Sequence, residues 1–135
     1  MKIVLANGTF DPLHIGHVWH LLQAKEMGDK LIASVTDDDS VRYEKGPKRP
    51  VFSAQERAQF LAQLRCVDGV IIVKDALDAI QKVKPAIFVK GDEYRNKIAP
   101  EHLACCANYG VEIRFTDGPI YSSTKLLKHY ETRSR

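Results

Sequence analysis

No run in the sequence approaches the roughly 20 consecutive apolar residues that a membrane span needs. The opening, Met1-Lys2-Ile3-Val4-Leu5-Ala6-Asn7-Gly8, has too short an apolar stretch for a secretory signal and no small-residue cleavage pattern. A cytoplasmic location and no membrane partner are the expectation. Cysteine is scarce: Cys66, Cys105 and Cys106 are an odd number with two adjacent, which is no disulfide framework. They form no CxxC pair for zinc and read as small buried hydrophobes. Linkers, internal repeats and low-complexity stretches are also missing, so 1–135 reads as one domain, long enough for a single buried core. The net charge is only +3. Its basic residues gather at Lys45-Gly46-Pro47-Lys48-Arg49-Pro50 and from Lys125 to Arg135, with no long stripe and no interleaved aromatics. Nucleic acid is therefore not an expected partner, and small anions suit the charge better.

What is present is an alternation. Lys2–Ala6 reads as a buried strand, and Val18, Leu21, Leu22 and Ala24 recur at helical spacing from about Gly16 to Met27. Lys30–Thr36 is a second strand. Asp37 to Pro50 is polar, with glycine and two prolines, and reads as a mobile loop. Ser53-Ala54-Gln55-Glu56 is a capping box that opens a helix to about Arg65. Val70–Val73, Ala86–Lys90 and Val111–Phe115 read as strands. Ala76–Val83 and Pro100 to Asn108 read as helices, and Ser122 or Ser123 caps a last helix through about Tyr130. Apolar strands without period-two alternation, separated by helices, predict an α/β, Rossmann-like fold: a five-stranded parallel sheet with helices on both faces. Ligands of such sheets bind beyond the carboxyl ends of the strands.

Those ends hold the unusual residues. The first loop reads Gly8-Thr9-Phe10-Asp11-Pro12-Leu13-His14-Ile15-Gly16-His17. Gly8 allows close backbone approach, and Gly16 removes bulk where a helix begins, whose free amides attract anions. His14 and His17, one turn apart, can both donate to one phosphate-bearing ligand. Asp11 caps the turn or meets a metal ion. His20 extends the row, but three-residue spacing drifts around a helix and no thiolate assists, so no protein metal site is expected.

This loop resembles the GxFDxxHxGH signature of the HxGH nucleotidyltransferase superfamily, and in particular cytidylyltransferase-like enzymes. Glycerol-3-phosphate cytidylyltransferases and heptose-1-phosphate adenylyltransferase domains are the nearest in pattern. Lys25 to Ile32, Arg49-Pro50-Val51 with Arg57, Arg65 to Asp68, Val89 to Asp92 and Ser122-Ser123-Thr124-Lys125 follow in the family's order. The resemblance implies transfer of CMP or AMP from CTP or ATP to a phosphorylated polyol or sugar, with pyrophosphate released and Mg²⁺ arriving on the triphosphate. It implies that His14 and His17 stabilise the leaving charge. Thr9 and Phe10 would lie near the nucleotide, and the stretch Gly91-Asp92-Glu93-Tyr94 would help bind its ribose or base. Ser122, Ser123 and Thr124 would hold the distal phosphates. Lys45 and Lys48 would fold over the phosphates, while Arg57 and Arg65 would face the anionic substrate or the contact of a homodimer. Two other readings stand beside it: a nicotinate-mononucleotide adenylyltransferase, suggested by Asp11-Pro12 but lacking an arginine at Leu126, and a non-catalytic nucleotide-binding module.

Overall fold

Five of the apolar runs become strands: β1 (Ile3–Gly8), β2 (Lys30–Thr36), β3 (Gly69–Val73), β4 (Ile87–Gly91) and β5 (Glu112–Thr116). The structure, a computed structural model, describes residues 1–117, so the expected last helix and the sites at Ser122, Ser123 and Thr124 lie outside the described residues. Every pairing is parallel, in the order β3-β2-β1-β4-β5, with Val4 opposite Leu31 on one side and Ile87 on the other. The order reverses between β1 and β4. That is the point where a doubly wound sheet leaves a crevice at its carboxyl edge.

Alternate residues along each strand feed two cores. Val4 and Ala6 of β1, Leu31, Ala33 and Val35 of β2 and Val89 of β4 pack against α1 (Ile15–Glu26) and α3 (Ala54–Ala62) through Leu21, Ala24 and Leu61. Leu5, Val73 and Phe88 pack on the other face against α4 (Ala76–Val83) and α5 (Pro100–Tyr109) through Ala79, Ile80 and Cys106. Burial on both faces explains why the strands lack alternation, and each such Leu, Ile or Phe contributes about 1.5–3 kcal/mol. Cys66 and Cys106 are buried members of these cores, as their apolar reading requires. Among the described residues no helix is long and apolar enough to cross a membrane.

The helix ends follow their local chemistry. Ser53 Oγ accepts from the Glu56 amide at 3.2 Å and Glu56 accepts from the Ser53 amide at 3.2 Å, closing the expected capping box of α3. That helix stops at Ala62 rather than near Arg65. Strand β1 runs on through Asn7 and Gly8, two residues past the expected end.

One expectation fails outright. The stretch read as a mobile loop contains α2 (Asp38–Lys45). Asp37 caps it by accepting from the Ser40 amide at 2.8 Å, which also draws the Asp37 carboxyl below its usual range. Asp38 and Asp39 sit in its first turn, Arg42 and Lys45 in its last, so the side-chain charges oppose the helix dipole. Only Val41 is buried, and Gly46, at φ 101°, ends the helix in a conformation that favours glycine.

Candidate active site

A cleft of about 810 Å³ opens at the carboxyl edge of the sheet, over the switch between β1 and β4. Its floor is the end of β1, its walls are the first turns of α1 and the segment after β4, and Lys45, Lys74 and Asp75 stand on its far rim.

The two histidines of the first loop meet inside it. His14 is the N-cap of α1: its Nδ1 accepts from the Gly16 amide at 3.1 Å. His17, three residues on, returns the contact, its Nδ1 accepting from the His14 amide at 3.2 Å. This is a capping box built from imidazoles, and it does more than close the helix. An Nδ1 that accepts carries no proton, so in each neutral ring the proton sits on Nε2. The rings stack with centroids 3.8 Å apart, and the edge of Phe10 closes on His17 at 5.2 Å. Burial lowers the pKa of His14, and burial together with the charges of His14 and His20 lowers that of His17 to about 3. Two neutral rings, each held in its Nε2–H form, therefore line the cleft at the start of α1.

Gly8 is required by packing. A Cβ there would stand 2.9 Å from Phe10 Cζ, so the ring that supports His17 lies where any side chain at Gly8 would go. Phe10 holds this place from a left-handed backbone at φ 52°. Asp11 reaches the cleft wall, but its side chain is fully buried and its carboxylate accepts from Arg49 Nε at 3.0 Å and from the amides of Val51 and Phe52 at 2.7 and 2.9 Å. It ties the first loop to the segment before α3 rather than capping the turn or offering itself to a metal ion.

Arg57 corrects an expectation more sharply. It is fully buried and does not line the cleft. Its guanidinium donates to the carbonyls of Phe52 at 2.9 Å, Thr9 at 2.8 Å and Thr36 at 2.7 Å, and to Asp38 Oδ1 at 2.8 Å. These contacts take four of its five N–H donors, and the group is fully buried away from the cleft. Arg65 is exposed in the segment that leads from α3 into β3, at the opposite end of the sheet from the cleft. Lys45 lines the cleft from the end of α2, whereas Lys48 is exposed outside it. Thr9, Gly16, Gly91 and Asp92 all line it.

Several lining residues have roles that the sequence did not assign. His20 Nδ1 lies 2.7 Å from the Thr116 hydroxyl, and Gln23 exchanges two hydrogen bonds with the Asp117 backbone, at 2.6 and 2.8 Å. These join the middle of α1 to the end of β5 and the residue after it. Burial lowers the pKa of His20, with Glu93 opposing and Lys90 adding to that shift. Lys90, the penultimate residue of β4, is half-buried with its Nζ 4.3 Å from the centroid of the Tyr94 ring. A lysine next to last in an otherwise apolar strand was the one available hint. Among the described residues no three His, Cys, Asp or Glu side chains converge to hold a metal ion.

Comparison with known proteins gives three findings. The sequence model described as cytidylyltransferase-like matches residues 5–128. Curated relatives named "Bifunctional protein HldE" are 47% identical over 98 residues in Helicobacter hepaticus and 48% over 95 residues in Geobacter metallireducens. Those alignments take in 71% and 69% of this chain but only 20% and 19% of the relatives, so the chain spans about a fifth of their length. Among solved structures, the lipopolysaccharide core biosynthesis protein from Thermoplasma volcanium GSS1 superposes with a TM-score of 0.72 at 30% identity, covering 90% of this chain and 99% of that one.

Proposed function

The chain belongs to the cytidylyltransferase-like family, and from that membership we propose that it transfers a nucleoside monophosphate, AMP or CMP, from its triphosphate to a phosphorylated sugar or polyol. The observation that carries this reading is the imidazole capping box: two Nε2–H donors, fixed in tautomer and stacked at a helix N-terminus, in a cleft at the sheet's switch point.

The chemistry asks little of the protein beyond placement. A phosphate oxygen of the acceptor forms a bond to the α-phosphorus, the bond from that phosphorus to the bridging oxygen breaks, and pyrophosphate leaves with the electron pair. The attacking oxygen is already anionic, so no base is needed, and catalysis is positioning plus stabilisation of charge. His14 and His17 donate to the triphosphate as charge moves toward the leaving group, and because both rings are neutral they do so without giving up a proton. Lys45 at the rim supplies a positive charge that can settle on the same phosphates. Mg²⁺ would arrive with the triphosphate and offset its charge. The described residues offer it no cage, and no step here depends on one.

Two findings favour a sugar phosphate as acceptor and AMP as the group transferred. The sequence resembles heptose-1-phosphate adenylyltransferase domains, and the matched relatives are named bifunctional while sharing only about a fifth of their length with this chain. The Thermoplasma volcanium structure is named for lipopolysaccharide core biosynthesis, which also points to an envelope sugar.

The test is pyrophosphate release by the purified chain with Mg²⁺, crossing ATP and CTP against heptose 1-phosphate, other sugar phosphates and glycerol 3-phosphate. Release with ATP and a sugar phosphate is expected. His14→Ala and His17→Ala should each lower turnover by orders of magnitude while circular dichroism stays unchanged. Wild-type turnover in both variants, or silence with every pair, overturns the reading.

A further inference from the structure

The cleft contains a positive charge that the reaction as described does not use. Lys90, next to last in β4, has its side chain half-buried, its ammonium 4.3 Å from the centroid of Tyr94 and 5.8 Å from that of Phe88. Aromatic faces orient a cation but do not neutralise it. Among the described residues Lys90 takes part in no ion pair. Asp92, two residues on, is paired with Arg95; the anion that acts on Lys90 is Glu93, whose carboxylate folds back over Gly91, with both oxygens 2.6 Å from where a Cβ on that glycine would stand. Glu93 thus rests in the cleft wall beside Lys90 without bonding to it.

We propose that Lys90 anchors the phosphate of the acceptor, and that Glu93 is the internal counter-charge which that phosphate displaces. This rests on the nucleotidyl-transfer reading for the word acceptor, but the anion site itself does not. The position supports it. Lys90 lies on β4, across the switch point from β1, and acts electrostatically on His20 in the second turn of α1. His14 and His17 serve the first turn. The cleft therefore offers a cation from the β4 side as well as the histidines at the start of α1, and two phosphorylated substrates meeting at one phosphorus require two anion positions. Burial already disfavours the charged form of Lys90, with Glu93 the opposing influence. A phosphate dianion is a better partner than a carboxylate that does not reach it. The class of substrate follows: an acceptor lacking a phosphate leaves Lys90 unsatisfied and is refused.

The experiment separates the two phosphate positions and needs no turnover. The purified chain is saturated with pyrophosphate to fill the histidine end, and inorganic phosphate is then titrated by calorimetry. Phosphate should bind the wild type under these conditions, about tenfold more weakly to Lys90→Met and more tightly to Glu93→Gln, while pyrophosphate affinity stays the same in all three. Lys90→Arg should recover most of the loss, and it keeps the test open should Lys90→Met fail to fold. Unchanged phosphate binding in Lys90→Met, no phosphate binding with pyrophosphate present, or a loss of pyrophosphate affinity instead, each overturns the assignment. In turnover the same variant should raise the acceptor KM and leave the nucleotide KM alone. If no acceptor supports turnover while phosphate binds as described, the nucleotidyl-transfer reading fails and the anion site stands.

Discussion

At the scale of the residue, His17 shows how a side chain can be read twice. As the third residue of α1 it completes a helix cap, and the same hydrogen bond decides which nitrogen holds its proton. The cost is a buried imidazole that resists protonation. Folded, His17 titrates near pH 3, against 6.5 for an unperturbed ring, so between those values the unfolded chain binds more protons and acid pulls the equilibrium toward it. His14 and His20 shift in the same direction. Their contribution to stability is whole above about pH 6.5 and falls as the pH drops from there. The depressed carboxylates Asp37, Asp68 and Asp78 act lower: theirs is present above the unfolded value of 3.8 and lost beneath it. Urea midpoints at pH 7 and pH 4.5 should therefore differ for the wild type and differ less for His17→Gln. Equal drops in the two proteins would mean that His17 is not held neutral. Gly8 makes a second residue-scale case. Gly8→Ala should cost about 1–3 kcal/mol through the Phe10 ring it displaces, and Phe10→Leu in the same chain should recover part of that in the same urea titration. Additive losses would place the strain elsewhere.

At the scale of the element, Arg57 holds four segments together beside the cleft. The first loop through Thr9, the end of β2 through Thr36, the start of α2 through Asp38 and the segment before α3 through Phe52 all converge on one guanidinium. Arg57→Met leaves those acceptors without their donor and should cost about 3–5 kcal/mol, read from guanidinium chloride unfolding. Arg65→Ala, exposed at the other end of the sheet, should stay within about 0.5 kcal/mol and leave turnover unchanged. A normal stability for Arg57→Met with a raised substrate KM would restore the substrate-binding role that the resemblance implied. This arginine shows where sequence reading stops. Strands, helices and the α3 capping box were legible because they depend on neighbours in the chain. The three carbonyls that fix Arg57 come from residues 5, 21 and 48 positions away, and no local pattern announces them. Helix α2 failed for a different reason: with only Val41 buried it has no apolar stripe, and its true signals, the Asp37 cap and the acidic first turn, were outweighed by the prolines and glycine that follow. In the site, the histidine motif was legible as a local string. Lys90 was not, because its meaning depends on which strand lies across from it.

At the scale of the whole molecule, the sheet order matters more than any single contact. Because β1 and β4 are neighbours while their chain connections diverge, the loops after them splay apart and leave the cleft between them. The α1 end belongs to the loop after β1, Lys90 and Asp92 to the end of β4 and the turn beyond it, and the middle of α1 reaches across to the end of β5 and the residue after it through His20 and Gln23. An anion held in the cleft therefore bears on segments from both halves of the sheet, and binding should stabilise the fold as a unit. At a hundredfold excess over its dissociation constant, pyrophosphate should add about 2.7 kcal/mol and raise the unfolding midpoint by about 10 °C. The double variant His14→Ala, His17→Ala should lose nearly all of that shift, while sodium chloride at matched ionic strength should produce none in either protein. A full shift in the double variant would mean that pyrophosphate is held without the imidazoles, and the capping box would then be a helix end and nothing more.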